Sequence, residues 1–193
     1  MIRVLLLMTL TGTGVAAAAS TPASPFAFVN EVRALAGDDP AWANPAHDDG
    51  DWTLQPPWRV NPQDRIVWIR ARVDLPEGFD VRSEPLGVYV AAAGSWEAYW
   101  NGVFVGRNGV PGPTRAVEVP GKIDAGVFVP PELIRDDGNL LAIRISSFHV
   151  GRTLRAPIQA IAVERYGYIS ARGLGMHPLT VAVAGALLLG SVY

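Results

Sequence analysis

The chain has 193 residues, 49% of them hydrophobic and 18% charged, with a formal net charge of −2 and no cysteine. That length supports one domain with a sizeable core, and the lack of cysteine excludes a disulfide framework and thiol chemistry. Lys122 is the single lysine beside fifteen arginines, and a balance this close to neutral gives no footing on a nucleic-acid backbone.

Residues 1–19 open with Arg3, continue as an apolar run and close on Ala17, Ala18 and Ala19, the pattern of an export signal peptide cleaved before Ser20. A retained membrane anchor is the weaker alternative, because the apolar part is short and is followed by small residues rather than a basic stop. Residues 20–45 read as an entry segment rich in Ala, Pro, Ser and Asn, with one helical-looking piece, FAFVNEVRALAG, ended by Gly37. The next stretch, DDPAWANPAHDDGDWTLQPPWRV, sets tryptophans between turn formers without a repeating pattern.

Regular structure begins at RIVWIRARVDLP. Val67, Ile69, Ala71, Val73 and Leu75 alternate there with Trp68, Arg70, Arg72 and Asp74, a period of two that predicts a strand with the first set in a core and the second outward. PLGVYVAAAG predicts a second strand. WEAYWNGVFVG predicts a hairpin turning at Asn101-Gly102, with Ala98, Trp100 and Val105 inward. VPGKIDAGVFVPPELIRDDG reads as a connector with a short strand and a turn of helix, and NLLAIRISSFHV and APIQAIAVERY supply the last strands. Short strands at this spacing, punctuated by Gly and Pro, predict an all-β sandwich. Residues 167–178 then read as a juxtamembrane linker. PLTVAVAGALLLGSVY is apolar all round, so 179–193 reads as the start of a transmembrane helix, with a buried C-terminal helix as the alternative.

Four pieces in order, DDGDW (Asp48 to Trp52), WIRARVDLP (Trp68 to Pro76), AYWNGVFVGRNG (Ala98 to Gly109) and GNLLAIRI (Gly138 to Ile145), resemble the galactose-binding-like jelly roll that serves as the sugar-binding domain of family 2 glycoside hydrolases. The resemblance implies a jelly-roll β-sandwich over residues 46–166. In that family the catalytic carboxylates lie in a separate barrel, so the resemblance implies no enzyme here. A leader, a jelly roll and a membrane helix together resemble the periplasmic sensor module of a bacterial receptor of the histidine kinase or diguanylate cyclase type, its transmitter absent from this chain. The implied protein sits in the bacterial inner membrane through its C-terminal helix, with the β-domain in the periplasm sensing a carbohydrate, another small ligand or a periplasmic protein partner. The alternatives are a membrane-anchored accessory carbohydrate-binding module and, more distantly, a fragment of a glycoside hydrolase or esterase.

No group of residues suggests catalysis. His47, His149 and His177 are scattered, without the i, i+4 spacing of a helical metal pair, and there is neither a nucleophile elbow nor a phosphate-cradling loop. Asp48, Asp49 and Asp51 lack the closing glutamate of a hand-type calcium loop and read as a turn whose carboxylates bond backbone N–H groups. No catalytic residue, metal or cofactor is therefore expected. Binding has two sets of candidates. Trp42, Trp58 and Trp96, in loops or at a strand start, would stack on a sugar ring, whereas the resemblance implies packing roles for Trp52, Trp68 and Trp100, which match positions where that family uses large residues for the core or its edge. The row Arg70, Arg72 and Arg144, with Glu97 and Tyr99 on the same face, would offer forked donors, an acceptor and a ring. The alternative for that row is a solvated sheet face with cross-strand Arg–Glu pairs. Arg107 and Asn108, beside the hairpin, complete the candidates.

Overall fold

A computed structural model describes residues 27–75, 80, 82, 83 and 85–170. The signal-peptide, linker and membrane-helix readings fall outside these residues, apart from the first few positions of the linker, and so does His177. Among the described residues ten strands follow in chain order: β1 (Ala27–Phe28), β2 (Val32–Ala36), β3 (Thr53–Gln55), β4 (Ile66–Val73), β5 (Leu86–Ala92), β6 (Ser95–Trp100), β7 (Val103–Asn108), β8 (Asp124–Val129), β9 (Asn139–Ser146) and β10 (Ile158–Arg165). They form two antiparallel sheets, one ordered β1-β10-β5-β8 and the other β3-β2-β4-β9-β6-β7. The predicted all-β sandwich is present. Among the described residues no helix is long and apolar enough to cross a membrane.

The period-two pattern of β4 does what it implies. Val67, Ile69, Ala71 and Val73 enter the main core, where they meet Leu141, Ile143 and Ile145 of β9 and Val88, Val90, Ile161 and Val163 of the facing sheet. The hairpin turns at Asn101 (φ 51°) and Gly102 (φ 89°), both in the left-handed region that a two-residue turn requires. Asn101 also ties the turn down: its side chain donates to the Leu133 carbonyl (2.8 Å) and accepts from the Leu140 N–H (2.8 Å).

The helical-looking piece is not helical over its described residues, 27–37. It forms β1 and β2, one strand for each sheet, with Val32 and Ala34 buried and Leu35 facing away. β2 pairs with β3 on one side and β4 on the other, so sheet hydrogen bonds overrule the weak helical preference of Glu, Ala and Leu.

Each sheet also carries a covering on its outer side. On the six-stranded sheet, a 3-10 turn at Pro40–Ala43 and the loop after it build a second small core from Ala43, Trp52, Ile66, Trp68 and Ala142. On the four-stranded sheet, Ile169 sits over Gly87 and Gly126, where an added Cβ would lie 2.6 Å and 2.1 Å from its side chain.

Candidate functional site

The register brings the predicted polar face together. Trp68 of β4 is opposite Arg144 of β9, Arg144 is opposite Glu97 of β6, and Tyr99 is opposite Ala142. What alternation alone does not reveal is that residues 38–52 cross this face.

Arg70 is the main correction. It is 1% exposed, and its Nε donates to Asp49 Oδ2 (2.6 Å), its Nη1 to the carbonyls of Trp42 and Asn44, and its Nη2 to the His47 carbonyl (3.1 Å). Its guanidinium lies 5.8 Å from the centre of the Trp52 ring. A turn dense in Asp and Pro leaves several carbonyls converging on one point, and a planar five-donor fork can satisfy them together. Arg33 repeats the device from β2, donating to the carbonyls of Asp49, Gly50 and Trp52. Asp48 closes its turn by accepting from the Gly50 N–H at 2.9 Å. Arg70 is thus a clasp for the loop, with four of its five N–H donors spent on it and the side chain closed off from solvent.

Arg144 clasps the start of the same loop with two bonds to Asp38 (2.6 and 2.7 Å), and its Nη1 also reaches Glu97 at 3.3 Å. The hydrogen bond from Arg144 holds the Asp38 carboxyl below its ordinary value, and Asp38 in turn raises Arg144. The Tyr99 phenol donates to Glu97 at 3.3 Å; burial, followed by the Glu97 charge, pushes its pKa up. These groups form a half-covered ion-pair network that joins the cross-strand Arg144–Glu97 pair to Asp38 of the covering loop.

The remaining candidates separate. Trp96 is fully buried, on the same inward face as Ala98 and Trp100, so it cannot stack on a sugar. Asn108 is also buried, and it is spent on Lys122, donating to its carbonyl (2.5 Å) and accepting from its N–H (2.8 Å). Trp42 is half-buried and packs edge-on against Trp52 at 5.1 Å and Trp68 at 6.4 Å. Trp58, Arg72 and Arg107 are exposed, on the 3-10 turn Pro57–Arg59, on β4 and on β7. The structure does not gather these three at one place.

Arg72 instead faces residues that the sequence reading passed over. A cleft of about 430 Å³ beside β2 and β4 is lined by Arg72, Asp74, Phe28, Glu31, Arg33 and Leu54, with the Arg70–Asp49 pair at its base. Phe28 is 53% and Leu54 56% exposed. The side chains of Arg72, Glu31 and Asp74 have no hydrogen bond or ion pair among the described residues. The clue in the sequence was the alternation of Val32 and Ala34 with Arg33 and Leu35, which marks a strand and puts Phe28 and Glu31 at the edge of a sheet.

No protein-family model and no curated protein matches the chain. Solved structures do match. A calcium-binding mutant of Bacteroides uniformis beta-glucuronidase 2 superposes with a TM-score of 0.54 at 21% identity, over 70% of this chain and 17% of that one. The same enzyme with cyclophellitol-6-carboxylate aziridine covalently bound gives 0.53, over 71% and 17%. A beta-glucuronidase from glycoside hydrolase family 2 gives 0.51 at 12% identity, over 72% and 17%. What is shared is the fold. The chain spans about a sixth of the length of these enzymes, so the likeness concerns one β-sandwich portion of each.

Proposed function

We propose that this domain is a non-catalytic carbohydrate-binding module whose ligand lies in the cleft of Arg72, Phe28 and Leu54. One observation carries the reading: a guanidinium and two carboxylates without side-chain partners among the described residues stand beside an exposed aromatic ring and an exposed aliphatic side chain in one concavity. A pyranose has C–H faces that pack on such apolar surfaces and hydroxyls that both donate and accept, so it uses every element of that set. The volume falls in the range of roughly 300–1,000 Å³ usual for ligand pockets. The fold shared with family 2 glycosidases supports the same ligand class. The test is a glycan array followed by titration calorimetry on the best binder. Retained affinity in Arg72→Ala would remove the cleft from the account, and no binding to any glycan would remove the carbohydrate.

The reading extends to a sensor module outside the cytoplasm, held at the bacterial inner membrane by residues 179–193. The specific observation in its favour is Ile169, whose seat over Gly87 and Gly126 joins the C-terminal end of the sandwich to the chain that leads to the apolar run. A ligand would send a signal along this path if it bound two arrangements of that junction with different affinity. Cell fractionation tests the location: recovery in the carbonate-resistant membrane fraction supports it, and recovery in the soluble fraction contradicts it.

A further inference from the structure

At one end of the sandwich the β5–β6 turn, the β7–β8 loop and the β9–β10 loop enclose a second pocket of about 380 Å³. Its back is a buried carboxylate. Glu118, with a side chain 1% exposed, accepts from Ser146 Oγ and from the Phe148 N–H (3.0 Å), and its Oε1 lies 3.0 Å from His149 Nδ1. Ser146 Oγ in turn accepts from the Gly112 N–H at 3.0 Å. An ionised carboxylate can only accept, so a neutral His149 ring bonds it through Nδ1–H and leaves Nε2 as an acceptor. His149 is 29% exposed, and Nε2 has no partner among the described residues.

Glu118 and His149 are the ionisable residues of this lining, and the other walls are apolar side chains of Pro120, Ile123, Val150 and Leu154. Ser95 gives no further side-chain donor, since its Oγ is spent on the Val119 carbonyl at 2.7 Å. The loops are fixed before any ligand arrives: Ser147 Oγ donates to Ala93 (2.7 Å), and Gln63 Nε2 donates to Gly151 (2.9 Å). A rigid pocket spends little binding energy on ordering its own parts.

We infer that this pocket is a second ligand site, distinct from the cleft of Arg72, and that it takes a small apolar molecule with one hydroxyl, such as a phenol, donating to His149 Nε2. A saccharide is unsuited to it. Several of its hydroxyls would leave water for a wall whose one exposed free side-chain acceptor is His149 Nε2, at about 1–3 kcal/mol for each bond left unmade. A phenol has one donor for that acceptor and a ring for the apolar wall.

The experiment is methyl and imidazole NMR on the full chain titrated with p-cresol, toluene and benzoate. Binding of p-cresol shifts the Ile123 and Leu154 methyls and the His149 ring, and is about fivefold or more tighter than toluene, the worth of one neutral hydrogen bond. His149→Phe abolishes the preference for p-cresol over toluene while toluene still shifts the methyls, and His149→Gln keeps part of the preference through its side-chain carbonyl. Equal affinity for p-cresol and toluene, tighter binding of benzoate, or the absence of shifts at these methyls with every probe would each overturn the inference. None of these results depends on whether a saccharide binds the cleft.

Discussion

Arg70→Met removes the clasp and keeps most of the side-chain volume, so it tests whether polar contacts hold residues 38–52 on the sheet. The substitution leaves the carbonyls of Trp42 and His47 without the donor they have here, leaves Asn44 with only the His47 N–H, and takes from Asp49 its shortest partner. Breaking a buried charge pair of this kind costs about 3–5 kcal/mol. The lower end applies, since Arg33 remains 3.6 Å from Asp49 Oδ1 and Asp49 keeps some contact with water. With a urea m-value of about 2 kcal/mol/M, a loss of about 3 kcal/mol lowers the unfolding midpoint by about 1.5 M. Tryptophan fluorescence reads the transition, because Trp52 packs against the guanidinium. In a double-mutant cycle with Asp49→Asn, the two sites should couple by more than about 1 kcal/mol. A midpoint shift below about 0.5 M, the scale of an exposed ion pair, would refute the clasp.

The other perturbations follow from single contacts. Asp38 has its pKa lowered from 3.8, so its bond to Arg144 adds stability above that value, which is lost as pH falls through the folded-state pKa. The stability gap between wild type and Asp38→Asn, measured by urea unfolding, is therefore level above about pH 5 and closes below pH 3.8. Gly126→Ala drives a methyl into Ile169 and costs about 1–3 kcal/mol, read as faster hydrogen exchange at residues 166–170. Trp96 Nε1 is buried without a partner among the described residues. Trp96→Phe therefore loses ring area but also removes an orphan donor, and its cost stays below the roughly 3–5 kcal/mol typical of deleting a large buried aromatic, as urea unfolding can measure.

The strands were legible because their side chains alternate. Val67 to Val73 fixes one face of β4, and the same parity that places Ala98 and Trp100 inside also places Trp96 there, so the information that excludes it from a site was already in the hairpin. Arg70 was not legible in that way. Period two assigns a residue to a face and says nothing about whether another segment covers that face. Trp68 was the available sign, since an indole on the face of Arg70 and Arg72 needs a covering. The carboxylate of Glu118 left no trace in spacing: its partners, Ser146 and His149, lie about thirty residues away and meet it only through the loops at the end of the sandwich. The cleft of Arg72 was hidden by the helical reading of residues that form β1 and β2, since a helix there leaves Phe28 and Glu31 with no sheet edge to line.

Carbohydrate binding in that cleft is most directly tested by calorimetric titration of one glycan, the best binder from an array, into wild type and Arg72→Ala, with urea unfolding of both proteins alongside. Arg72 has no partner among the described residues, so its removal should leave the unfolding midpoint unchanged while weakening the glycan by about tenfold, the loss of a charged hydrogen bond. Equal affinity in the two proteins, or no heat with any glycan, would contradict the account.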